Sequence, residues 1–96
     1  MTLQSVRNAV VEAITKIQKE SGRAVPVCTD DVRPLKDLDG FDSLNGVEAA
    51  ALLSDVLGVE IDQNPFVSDK GKVLSIKEAA DRLYAACKSE KAGTKT

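Results

Sequence analysis

Ser43 sits between Asp42 and Leu44 in the stretch DGFDSLNGVEAAA, residues 39–51, where turn-forming residues give way to helix-forming ones. A serine hydroxyl is a weak nucleophile until a neighbouring base, most often histidine, takes its proton. The chain of 96 residues contains no histidine, and the GxSxG turn that exposes a hydrolase serine is absent around Ser43. The surrounding acids fare no better as a metal site. Asp37, Asp39 and Glu48 fall at positions one, three and twelve of a calcium loop, but position five is then Phe41 and position six, where the sharp turn needs glycine, is Asp42. A carboxylate pair working as acid and base needs a cleft that drives the two acidities apart, which a small helical bundle seldom provides. Cys28 and Cys87 have neither CxxC nor metal-ligand spacing and read as reduced thiols. No catalytic residues and no metal ligands are therefore expected, and Ser43 has no base of its own.

The elements that must position this serine are helices. Leu3, Val6, Val10, Ala13, Ile14 and Ile17 follow the spacing of one helical face, which predicts a first helix over residues 3–20 stopped near Gly22. Residues 22–41 contain two prolines, two glycines and no sustained period. They read as a long ordered loop, with Val25, Val27, Val32 and Leu35 available to pin it to the core. Asp42 is a good helix cap, so a second helix is expected over about residues 43–57, with Gly58 as its stop. Its core stripe is Ala49, Ala50, Leu53 and Leu57; a second stripe of Leu44, Val47, Glu48, Ala51 and Asp55 mixes apolar and acidic groups. A short helix or turn is expected at Pro65–Asp69. The last helix opens with SIKE, Ser75 to Glu78, which fits a capping box flanked by Leu74 and Ala79 as a hydrophobic staple. Ile76, Ala79, Ala80, Leu83 and Cys87 supply its apolar face.

The fold class is thus all-α: a small bundle of three main helices plus a short helix or turn, with a long loop between the first and second helices. One domain is expected over residues 1–87, followed by a flexible polar tail over 88–96. No apolar run approaches the ~18 residues that cross a bilayer, and nothing at the amino terminus reads as a signal segment. A cytoplasmic monomer is the expectation.

Charge is segregated along the chain. Residues 1–36 hold six basic and four acidic side chains, residues 70–96 hold seven and three, and residues 37–69 hold eight acids with no lysine or arginine, within a net charge of -2. An acidic block repels phosphate backbones and attracts cationic surfaces, so nucleic acid is a poor partner and a basic protein face a good one.

The stretch LKDLDGFDSLNGVEAAALLSDVLGVEI, preceded by an amphipathic helix and followed by LSIKEAADRLYAA, resembles the acyl carrier protein family. Asp42, Ser43 and Leu44 match that family's D-S-L signature, and the likeness extends over most of the chain through helix order and loop placement. The resemblance implies that a phosphopantetheinyl transferase attaches 4'-phosphopantetheine from coenzyme A to Ser43, and that the arm's thiol carries acyl groups as thioesters, in fatty acid or related lipid metabolism. It implies that acyl-loading and acyl-transferring enzymes with basic docking surfaces meet Asp42, Leu44, Val47, Glu48, Ala51 and Asp55. An activating base would then reside in the transferase. Where fatty-acid-synthesis members usually follow D-S-L with an acid, this chain has Asn45 and then Gly46. Ala51 stands where a larger apolar residue is common, and the linker from Gly58 to Leu74 is longer and carries Lys70 and Lys72. These departures imply a specialised carrier. The alternatives are an aminoacyl or peptidyl carrier, or an unmodified helical adaptor for a basic protein surface.

Overall fold

The architecture is that of a computed structural model, which describes residues 2–24, 27–38, 40–61 and 63–93, with side chains to Lys88. Val25 and Asp39 of the readings above, Asp62 of the eight acids in residues 37–69, and residues 94–96 of the tail lie outside the described residues. The chain is a mostly helical globule with four helices among the described residues: α1 (Leu3–Glu20), α2 (Pro34–Asp37), α3 (Ser43–Leu57) and α4 (Ile76–Gly93). No strand forms among them; Val67 and Val73 make an isolated antiparallel bridge.

α1 begins at a reciprocal cap between Thr2 and Ser5 and buries Val6, Ala9, Val10, Ala13, Ile14 and Ile17 along one face. Leu3, assigned to that face by its spacing, is 41% exposed, because the first turn overhangs the end of the core. α1 is the central packing element, in contact with both α3 and α4. α4 opens with the expected box: the Glu78 amide donates to Ser75 Oγ at 3.2 Å and the Ser75 amide donates to Glu78 Oε1 at 2.9 Å. Leu74, Ile76, Ala79, Ala80, Leu83 and Cys87 are all buried.

The segment between α1 and α3 is held against the core and the start of α4. Val32 and Leu35 pack against the core half-buried, as does Cys28. Burial pushes the Cys28 thiol above its usual range, with Arg7 opposing. Val27, expected to help pin the loop, is 85% exposed instead. Two amide protons of the first turn of α4, which have no partner inside the helix, are taken by loop carbonyls: Ile76 donates to Val32 at 2.8 Å and Lys77 to Asp30 at 3.1 Å.

Pro65–Asp69, expected as a short helix or turn, contains turns and the Val67 bridge. Two features differ from expectation. A four-residue helix, α2, lies within the first loop. Pro34 heads α2, where its missing N–H costs nothing, and the Asp37 carboxylate accepts the Arg33 amide at 2.8 Å. The backbone of α4 also runs on to Gly93, past Lys88 where a polar tail was expected. Residues 88–92 are lysine, serine, glutamate and alanine without proline, and a nucleated helix propagates readily through such residues.

The remaining core comes from residues with no periodic signal. Phe66 is fully buried and meets Phe41 edge-to-face, ring centroids 5.7 Å apart at 76°. Leu38 and Phe41 are buried beside α3 in the same cluster. The segment before Ser43 and the segment after α3 are thereby tied to each other as well as to the bundle.

Candidate functional site

Ser43 is the first residue of α3, and Asp42 is its cap. Asp42 Oδ1 accepts the Asn45 amide at 3.1 Å, and the Asp42 amide donates to Asn45 Oδ1 at 3.2 Å. Each side chain satisfies a backbone donor that the helix leaves without a partner. The far end of α3 closes on Gly58, whose φ of 70° is the left-handed conformation that glycine adopts without strain. Both bounds coincide with those expected from the sequence.

Ser43 and Asp42 are exposed. So are Leu44 (75%), Val47 (57%), Glu48, Ala51 and Asp55, which lie at helical spacing on one face of α3. Ala49, Ala50, Leu53 and Leu57 are buried on the other. The helix therefore presents to solvent a hydroxyl at its amino end and, beyond it, an apolar and acidic strip. Val56, which the sequence reading did not single out, is 68% exposed on the same helix. A helix that exposes Leu44, Val47 and Val56 carries the apolar groups that macromolecular contacts desolvate.

Two side chains from elsewhere in the chain reach the first turn of α3. Arg23, just after α1, donates from Nη1 to Asn45 Oδ1 at 3.1 Å and to Gln18 Oε1 at 3.2 Å. Gly40, at a φ of 69° that glycine adopts without strain, lies against the Arg23 side chain, which a methyl there would displace. A cation is thus anchored in the first turn of α3, inside a stretch of sequence that has none of its own. The second is Asn64. Its Nδ2 donates to the Ser43 carbonyl at 3.5 Å, a long bond, and its Oδ1 accepts the Phe66 amide at 2.9 Å. A methyl on Gly46 would overlap the Asn64 carboxamide. Gly46 is buried within α3, and glycine inside a helix costs about 1 kcal/mol relative to alanine, so the notch it leaves is what the Asn64 side chain fills. On its other side Asn64 lines a groove with Ile61, Pro65, Val67, Arg82 and Leu83.

Chemically, Ser43 has Asp42 and Asn45 nearest in its own turn, and both are committed to the cap. Among the described residues no three carboxylate or thiol side chains are grouped to hold a metal ion, and no helix is long and apolar enough to cross a membrane. The arrangement leaves the Ser43 residue exposed at a helix start, with no histidine base beside it. First-turn amides and the helix dipole favour an anionic group there. Asn64, Gly46 and Arg23 were not legible as neighbours of Ser43; the one local hint was glycine inside an otherwise strong helix. In comparisons with known proteins, no family model, no curated protein and no solved structure matches the chain.

Proposed function

We propose that this chain is a carrier protein whose Ser43 is esterified with 4'-phosphopantetheine and which presents acyl groups to partner enzymes. The observation that carries the reading is an exposed serine at the first position of a capped helix, continued by the exposed strip Leu44, Val47, Glu48, Ala51 and Asp55. In the transfer, Ser43 Oγ forms a bond to the phosphorus nearest pantetheine in coenzyme A. The pyrophosphate link breaks, adenosine 3',5'-bisphosphate leaves, and the hydroxyl proton passes to a base of the transferase. The residues fit the group: the hydroxyl is accessible, and the start of α3 favours the phosphodiester charge. When attached, the arm supplies a terminal thiol for thioester chemistry. Ser43 holds it, Asp42 and Asn45 hold the turn beneath it, and the strip beyond meets the transferase and the acyl-handling enzymes. The finer reading is of a specialised, monomeric, cytoplasmic carrier built as a bundle of three long helices with a fastened first loop.

The test is mass spectrometry of the intact chain after incubation with coenzyme A and a promiscuous phosphopantetheinyl transferase. One phosphopantetheine is expected on the wild type and none on Ser43→Ala, with both helical by circular dichroism. No gain on the wild type would overturn the carrier reading and leave the exposed strip of α3 as the surface of an unmodified adaptor.

A further inference from the structure

Resting on the carrier reading, we infer that Asn64 is a positioning residue for Ser43, and that Gly46 exists to admit it. Asn64 joins two backbones that the sequence keeps apart. One end of its carboxamide reaches the Ser43 carbonyl and the other holds the Phe66 amide. Phe66 is fully buried, so this second bond anchors Asn64 to the core and not to a loose loop. Gly46 lies three residues beyond Ser43, one turn of α3 along, and has no side chain where the carboxamide rests. Asn64 thus spans from the backbone of buried Phe66 to the turn that carries the serine.

The opposite end of that turn is held by Arg23 through Asn45. Contacted from two directions, the first turn of α3 is expected to fray less than helix ends ordinarily do, which would keep the hydroxyl in one place before a transferase arrives. Positional order of a reacting group is a kinetic quantity: a displacement of about 1 Å can cost up to about a hundredfold in rate. Asn64 does not belong to the exposed strip, so its loss should act on the chemical step more than on docking.

The test uses four full-length proteins: wild type, Asn64→Ala, Gly46→Ala and the double variant. Each is assayed with coenzyme A and a promiscuous phosphopantetheinyl transferase, by melting, and by amide exchange. Asn64→Ala and Gly46→Ala should each lower kcat by at least about threefold while KM stays within about twofold. Each should also speed exchange of the Phe66 amide. Gly46→Ala should raise the melting temperature more in the Asn64→Ala background than in the wild type, because the added methyl displaces a side chain only where one is present. Wild-type kcat in Asn64→Ala, or equal melting increments in the two backgrounds, would overturn the inference. A wild type that is itself unmodified removes the carrier reading and this inference with it, whereas a modified wild type beside an indifferent Asn64→Ala removes this inference alone.

Discussion

Asp42 and Asn45 cap each other: the carboxylate of the first accepts the amide of the second at 3.1 Å, and the carboxamide of the second accepts the amide of the first at 3.2 Å. Asn45, read from the sequence as a departure from the acidic pattern of carrier proteins, is therefore half of the device that starts α3. It also receives Arg23, so one side chain serves the cap and joins it to the end of α1.

Asp42→Ala is expected to destabilise the chain by about 1 kcal/mol, a typical cost for losing such a cap. For a domain of this size that is a fall in melting temperature of roughly 4–8 °C. Asn45→Ala should cost at least as much, because it removes the Arg23 contact along with its half of the cap. Urea denaturation of the two variants checks both, and a smaller loss for Asn45→Ala than for Asp42→Ala would refute the coupling to Arg23.

The exposed strip of α3 predicts two kinds of partner defect. Glu48→Lys with Asp55→Lys reverses two exposed charges, so folding should change little while encounter with a basic transferase slows. That defect should shrink with added salt, since screening over ~8 to 10 Å weakens the wild-type advantage. Leu44→Ala should instead weaken the complex almost independently of salt, because Leu44 supplies desolvated contact. Modification kinetics at low and high ionic strength separate the two, and a double lysine variant modified at the wild-type rate in low salt would show that docking occurs elsewhere.

Glu78 carries a pH signature. The Ser75 amide, Arg33 and the Ser75 hydroxyl hold its carboxyl below the ordinary value of 4.5, at about 2. A carboxyl whose acidity is strengthened by folding contributes stability that is fully present above its unfolded pKa and is lost as pH falls through the folded one. The stability difference between wild type and Glu78→Gln should therefore be constant above about pH 5 and shrink as pH falls from about 4.5 to 2. Urea titrations at a series of pH values measure it, and a difference that stays constant down to pH 2 would show that the carboxylate is not so held.

Much of what surrounds Ser43 was decided by local chemistry and could be read without a fold. Asp42 starts α3 and Gly58 ends it, Ser75 and Glu78 start α4, and apart from Leu3 the stripes of α1, α3 and α4 divide buried from exposed residues as their spacing requires. Caps act on amides three residues away and periodicity acts within a turn or two, so a short stretch contains both partners of each such interaction. The alternation along α3 that leaves Leu44, Val47, Glu48, Ala51 and Asp55 outside follows for the same reason. What local chemistry did not decide is where irregular chain travels. Val27 is exposed while Leu38, Phe41 and Phe66 complete the core, and α2 forms where Pro34 and Asp37 allow a turn that no hydrophobic period announces. Only the tertiary structure brings Arg23 to Asn45 and Asn64 to Gly46, across 22 and 18 positions of sequence. Such contacts depend on how two loops close over one core, and loop closure is set by the packing of residues far apart in sequence. Helix starts are local, and so the place of Ser43 at the start of α3 could be read from its sequence neighbours; Arg23 and Asn64 reach that turn because the loops fold back onto α3.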